Sequence, residues 1–388
     1  MRSVETFRDL QREATKWRRY LHENPELDYR LSNTARFVTE KLASFAINHI
    51  ETGIAETGIV ALIQGKGGHG PTIGLRADMD ALPILEASNK PWSSKTPGNM
   101  HACGHDGHTA MLLGAAKYLA ETRNFKGTVA LIFQPSEEVT PSGAQRMVQE
   151  GIMDRFGISQ VFGMHNRPGM EIGRFGICHG AIMASQDDFD LIVKGRGGHA
   201  ARPQDTIDPV VIAAQIILGL QTLVSRSTNP VDSLVISVTK LNGSQAYNVI
   251  SDQVEMSGTV RTLMPGLRDF AERQILASAQ GIARGFGADI EYKYYRSVPV
   301  TVNRTEPTDL AIAASRSLVG NSSVDDKLRV TMGAEDFAYM LEARPGAFIF
   351  IGNGPTASVH NAAYDFNDDA LPYGIGYWVN LVEMALAA

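Results

Sequence analysis

The chain has 388 residues, 44% of them hydrophobic and 20% charged, and its 36 basic and 42 acidic side chains give a formal charge of −6. This balance is ordinary for a packed globular protein and excludes disorder and collagen-like repetition. No block of like charge could track a phosphate backbone, so no nucleic acid is expected as a partner, and at about 150 residues per domain the length implies two or three domains, of which two are expected.

The amino-terminal stretch spaces Val4, Phe7 and Leu10 like one helical face and lacks the apolar core of a signal peptide. The longest apolar run, PVVIAAQIILGL, is interrupted by Gln215 and falls short of the roughly 20 residues that span a bilayer. A cytoplasmic protein with no membrane partner is expected. Cys103 and Cys178 lie in chemically different settings, so a disulfide is not expected, and Cys178 reads as a small buried hydrophobe.

Along the first half, strand-like and helix-like segments alternate, as in a parallel sheet covered by helices. IVALIQ and TIGLRA are strands, and GKGGHG between them is a flexible turn, because a strand follows it rather than a phosphate-binding helix amino terminus. TIGLRA runs into Asp78 and Asp80. HACGHDGH, residues 101–108, leads into a helix expected from about Thr109; GTVALIF runs into QPSEE, and QVFGM into His165. Much later GAFIFIGNG is followed by His360. Ligands in open α/β sheets sit beyond the carboxyl ends of strands, so these regions are aimed at one rim. Between His165 and His360 lies a block reading strand, helix, strand, strand, helix, strand, the order of a ferredoxin-like unit. The expected fold is therefore α/β: a domain of residues 1–185 and 296–388 with a mixed, largely parallel sheet flanked by helices, and an inserted βαββαβ domain of residues 186–295.

Cys103 and His105 stand two apart, so an extended backbone puts both on one side, and a helix amino terminus nearby favours the metal-binding thiolate. Of the adjacent Glu137 and Glu138, one could bind metal while the other carries protons, the division of labour that metal-assisted hydrolysis needs. His165 and His360 complete a Cys, His, Glu, His, His set. Five ligands exceed one tetrahedral zinc and suit two metals about 3.5 to 4 Å apart. A lone histidine at a strand end is more often structural, and adjacent glutamates are more often a solvated face; joint occurrence at one rim reverses that. His101 and His108 are left as support for the ligands or as structural residues.

LHENPEL, GLRADMDALPI, MHACGHDGHTAMLLGAA, LIFQPSEE, GMHNRPG, KGRGGHAARP, GTVRT, GAEDFAYM and HNAAYDFND together resemble the M20 metallopeptidase superfamily, in its amidohydrolase branch of hippurate and auxin–amino acid conjugate hydrolases. The resemblance implies a zinc-peptidase-like catalytic domain holding two divalent metals (zinc, manganese, cobalt or nickel) on Cys103, His105, Glu138, His165 and His360, with His105 bridging and Glu137 as general base. Asp80 resembles the aspartate that supports the metal centre, with Asp78 beside it in the same pattern. His199, in GGHA, resembles a histidine that stabilises the oxyanion in a partner's site, which implies a homodimer or higher oligomer through the inserted domain. Asn248 and Arg261 match residues that contact the substrate's carboxylate; Ser251 stands where the family usually has proline, which touches the local loop shape. The implied reaction is hydrolysis of a small N-acyl amino acid to a carboxylic acid and an amino acid. Its rivals are an M20-type dipeptidase or carboxypeptidase, a biosynthetic N-acetyl-amino acid deacetylase, and, more distantly, a cysteine hydrolase built on Cys103 or a protein whose metal is only structural.

Overall fold

The structure, a computed structural model, describes residues 2–387 and divides into two compact units: Met1–Ile182 with Val302–Arg329 and Asp336–Ala388, and Met183–Thr301 with Val330–Glu335.

The first unit is built on an eight-stranded sheet in the order His49–Ile54, Gly58–Gln64, Thr128–Gln134, Thr72–Asp78, Ile158–Arg167, Gly346–Gly352, Phe175–Gly176, Val324–Asp325. The four central strands, from Thr128–Gln134 to Gly346–Gly352, run parallel. The first two strands add antiparallel, and Phe175–Gly176 pairs antiparallel with Gly346–Gly352. Thr72–Asp78 and Gly346–Gly352 are buried almost throughout, which is why Gly346–Gly352 reads as an unbroken apolar run rather than an alternating one, while Thr72–Asp78 buries Arg76 and Asp78 as well. GKGGHG is the turn between Gly58–Gln64 and Thr72–Asp78, with Gly68 left-handed at φ +90°. The helix His105–Thr122 packs against the carboxy-terminal helix Leu371–Ala385 with glycines at the contact: a Cβ on Gly114 would lie 2.5 Å from Ile375, and one on Gly374 would overlap Met111.

That helix begins four residues earlier than expected, and Cys103 and His105 are consequently not in extended chain. Gly104 sits left-handed at φ +95°, and its carbonyl accepts from the N–H groups of Gly107 and His108, which starts the helix at His105. The glycine is required twice over, because a Cβ there would also collide with the Asn166 amide and the Tyr364 hydroxyl.

Beneath the first turn lies a buried ionic group that ties the helix Arg8–Glu23 to it. His22 Nδ1 is 2.9 Å from Asp106 Oδ2 and its Nε2 is 3.2 Å from Glu86 Oε1; Arg18, fully buried, donates to Asp368 at 2.7 Å. Burial opposes charge on His22, but hydrogen bonding and charge from Asp106, with the bond to Glu86, outweigh it and raise its pKa to about 9.

The second unit holds a four-stranded antiparallel sheet in the order Leu234–Asn242, Gln253–Thr262, Ser185–Lys194, Asp289–Arg296. Its helices Pro209–Thr222 and Pro265–Gly285 bury Ile212, Ile216, Leu220, Ala271, Ile275 and Ala279 in one core with Phe189, Leu191 and Val260. This is the βαββαβ order and the strand arrangement of a ferredoxin-like fold. Strand Gln253–Thr262 alternates as its sequence suggests, with Val254, Met256, Gly258 and Val260 inward. The helix Pro209–Thr222 continues through a π turn, so that Pro209–Ser227, 19 residues, is long and apolar enough by length and composition to cross a membrane. Its buried stripe faces this unit's own core, while Val210, Val211 and Leu218 are exposed.

Two outcomes follow from these contacts. The raised pKa of His22 stabilises the fold fully below about pH 6.5 and ceases to do so as pH rises through about 9. Wild-type protein should therefore lose a few kcal/mol of its advantage over His22→Gln across that window, read as converging unfolding midpoints. Gly104→Ala should cost about 2 to 5 kcal/mol, from left-handed strain plus overpacking, whereas Gly68→Ala, also left-handed but with open space around it, should cost about 1 to 2 kcal/mol of strain alone; chemical denaturation compares the two.

Candidate metal centre

Four strand ends and one helix start build the centre, all within the first unit. Thr72–Asp78 delivers Asp78 and, two residues on, Asp80. Thr128–Gln134 runs into Glu137 and Glu138, Ile158–Arg167 carries His165, and the segment after Gly346–Gly352 brings His360, whose N–H donates to the Ala102 carbonyl at 2.7 Å. Side-chain donor atoms of Cys103, His105 and His165 come within 4.8 Å of one another. So do those of Cys103, Glu138 and His360, and those of His105, Glu137 and Glu138. Cys103 Sγ is 3.3 Å from His165 Nε2, and Glu138 Oε1 is 3.2 Å from His360 Nε2 and 4.0 Å from His105 Nε2.

Both inner imidazoles are oriented by backbone. His105 Nδ1 donates to the Asp80 carbonyl at 2.9 Å, and His165 Nδ1 to the Asn166 carbonyl at 2.7 Å. A carbonyl only accepts, so the Nδ1 positions carry the protons and the Nε2 atoms face the cluster, the arrangement that second partners impose on metal-binding histidines. His105 Nε2 is buried without a hydrogen-bond partner. An orphaned buried nitrogen among sulfur, nitrogen and carboxylate donors fits a divalent transition metal.

The electrostatics agree. Burial opposes charge on His105, but Asp78, Asp80 and Glu138 outweigh it and raise its pKa to about 10, so this position favours positive charge. Burial and neighbouring His108 push His165 well below the usual histidine range, leaving it neutral as a ligand should be. Burial also works against charge on Glu138, yet His360 and His105 keep it ionised. The expectation that the helix amino terminus favours thiolate at Cys103 is overturned: burial, reinforced by Glu138 and Glu137, pushes the thiol well above its ordinary value. Only a cation close to the sulfur reverses that balance.

Asp78 and Asp80, inseparable in the sequence pattern, have different surroundings. Asp80 places one oxygen 3.3 Å from His105 Nδ1 and accepts the Glu138 N–H on the other at 3.1 Å, bracing two donors at once. Asp78 is consumed by His108 Nδ1 at 2.6 Å and Arg76 Nη1 at 2.7 Å. His108 Nε2 accepts the Asn166 N–H at 2.9 Å, and the Asn166 amide reaches the Cys103 carbonyl at 2.5 Å while Tyr364 donates to its oxygen at 2.8 Å. His108 thus holds the loop that carries Cys103. His101 is fully buried with neither ring nitrogen hydrogen-bonded, and burial lowers its pKa to about 4. Sequence reasoning assigned nothing to Arg76, Asn166, Asp336 or Tyr364; each lay inside a quoted motif, but nothing in the motif marks which residue braces a ligand.

His199, Asn248 and Arg261 belong to the second unit. There His199 lies opposite Val249 in a two-residue ladder, the Ala200 N–H donates to the Asn248 carbonyl at 3.0 Å, and the loop containing Ser251 is held by its hydroxyl donating to the Gln253 carbonyl at 2.7 Å. Arg261 is half-buried, and burial lowers its pKa against the opposing pull of Asp188 and Asp187.

Residues 74–384 match the model of peptidase family M20/M25/M40. The chain is 40% identical over 370 residues to an N-acetylcysteine deacetylase of Bacillus subtilis, covering 95% of this chain and 96% of that one. It is 40% identical over 375 residues to a hippurate hydrolase of Campylobacter jejuni, covering 96% of each. Among solved structures it superposes on a Bacillus subtilis protein described as a dinuclear metal binding peptidase of the M20 family, with a TM-score of 0.86 and 36% identity over 97% of this chain and 99% of that one. The cluster of donors at the strand ends and these likenesses agree, and the chain belongs to peptidase family M20/M25/M40.

Proposed function

We propose that the chain is a binuclear metal-dependent amidohydrolase that cleaves the amide of N-acyl amino acids, giving a carboxylic acid and a free amino acid. The observation that carries this reading is the convergence of Cys103, His105, Glu138, His165 and His360 with Glu137 beside them. Those five residues would hold two divalent cations, zinc, manganese, cobalt or nickel. The relatives named as a hippurate hydrolase and a deacetylase support a linear amide as substrate.

Bound there, the cations would polarise the amide carbonyl and bring the pKa of water down to about 7. Glu137 takes the proton of the attacking water and returns it to the leaving nitrogen. Asp80 keeps Glu138 and His105 fixed while this happens. His199 of a second copy donates to the oxyanion, and Asn248 and Arg261 receive the carboxylate of the amino acid. Assembly through the second unit is supported by its exposed apolar residues Val210, Val211, Leu218, Val235 and Leu241, on one helix and on the edge strand Leu234–Asn242. A cytoplasmic location is supported by two cysteines that are both free thiols. The cysteine-hydrolase reading loses ground, since a nucleophile needs a lowered thiol pKa and Cys103 has a raised one.

Chelation should abolish hydrolysis of hippurate while leaving most of the secondary structure, and metal should return it; faster cleavage of dipeptides than of hippurate would favour the dipeptidase rival instead. Glu137→Gln should retain its metal by elemental analysis and lose about 10²- to 10⁴-fold in kcat, whereas Cys103→Ala should lose metal as well. Arg261→Ala should cost about 2 to 5 kcal/mol in kcat/KM on an N-acyl amino acid and far less on its amide, since one partner of a desolvated charge pair is removed only in the first case.

A further inference from the structure

The strand Ile158–Arg167 does not end at His165 but two residues later, at Arg167. Residues two apart on a strand project to the same face, so Arg167 follows His165 on the side that faces the centre's rim. The neighbouring parallel strand sets Phe350 opposite His165 and Gly352 opposite Arg167. The Phe350 ring lies edge-on to His165 with centroids 6.4 Å apart, and the Arg167 guanidinium carbon is 5.3 Å from the same ring. One aromatic ring thus separates a guanidinium from a residue of the metal cluster.

Arg167 Nη1 is shielded from solvent and has no hydrogen-bond partner, and no carboxylate among the described residues pairs with this side chain. The contrast within the same unit is sharp. Arg76, more buried, is matched by carboxylates at 2.7 and 2.8 Å, and Arg18, which also has Nη atoms without a hydrogen bond, still has Asp368 at 2.7 Å. A shielded guanidinium N–H without an acceptor is rarely left so, and the planar fork of arginine matches a carboxylate through two parallel hydrogen bonds. The ring of Phe350 supports the cation from one face and leaves the in-plane N–H groups to a ligand.

We propose that Arg167 is a specificity-determining residue that receives a carboxylate of the substrate. The proposal rests on the amidohydrolase reading and extends it to the substrate class: acidic substrates whose carboxylate sits on the acyl chain, as in an N-succinyl amino acid, the amino acid's own carboxylate being the one given to Asn248 and Arg261.

The test compares wild type, Arg167→Met and Arg167→Lys, each loaded with metal and checked for metal content and unfolding midpoint. The substrates are an N-succinyl amino acid, the N-acetyl derivative of the same amino acid, and the amide of that N-acetyl derivative. A fall in kcat/KM of about tenfold or more for Arg167→Met, with partial rescue by lysine, confined to the succinyl substrate assigns the acyl carboxylate. The same fall on both acids but not on the amide places Arg167 at the amino-acid carboxylate and overturns the proposal. An equal effect on all three substrates, or none on any, overturns the proposal. Wild-type protein that holds its metal but hydrolyses none of the three refutes the amidohydrolase reading instead. Inhibition by succinate against acetate, on any substrate the protein does cleave, checks Arg167 independently, since its loss should weaken succinate selectively.

Discussion

The rim of the first unit depends on one guanidinium that water does not reach. Arg76 is buried in the middle of the sheet and donates to Asp78 at 2.7 Å, to Asp336 at 2.8 Å and to Gln134 at 2.8 Å. Ions this deep are costly to desolvate and persist only where geometry is good and the remaining lone pairs are satisfied. Here they are: Gln134 donates to Asp336, as does the Ala144 N–H, and the second oxygen of Asp78 goes to His108. Burial would raise the pKa of Asp78, but the charges of His105, Arg76 and His108 hold it well below its ordinary range. The carboxylate therefore stays charged, orients His108, and through Asn166 fixes the loop of Cys103. The metal-binding edge is rigid because the charge chain beneath it has few alternative arrangements.

This order of dependence separates two kinds of residue that share the motifs. Cys103, His105, Glu138, His165 and His360 gather around a small volume, while Asp80, Asp78, His108, Asn166 and the His22–Asp106 pair determine where those donors point. The left-handed Gly104 links the two sets, since it permits the turn that starts the helix at His105 and the close approach of Asn166 and Tyr364.

Much of this was legible in the sequence. The strand cores read as apolar runs because they are buried on both faces, and the ends of those runs located the donors. The second unit was legible in its order of strand, helix, strand, strand, helix, strand, and the alternation of Val254, Met256, Gly258 and Val260 matches a strand with one face on the helices. The start of the helix at His105 was hidden, because it depends on a glycine conformation stabilised by Asn166 and Tyr364, residues distant in sequence. The state of the Cys103 thiol was hidden too: proximity to a helix end is a local signal, whereas burial and the charges of Glu137 and Glu138 are tertiary. Asp78 and Asp80 could not be told apart, since spacing alone says nothing about Arg76 below one and the Glu138 backbone beside the other.

The donors of the centre are scattered along the chain, Cys103 within its first third and His360 close to its end, and the sheet that aligns them is completed only by Gly346–Gly352. During synthesis the early cysteine and histidine therefore emerge long before the partners that would close a site around them. Four of the five donors have emerged by His165, and the set is complete only once the late strand has been added beside Ile158–Arg167 and His360 follows it. Metal acquisition is in this sense tied to finishing the fold: a chain that misplaces its last strand lacks His360 at the centre, however well its other four donors are placed.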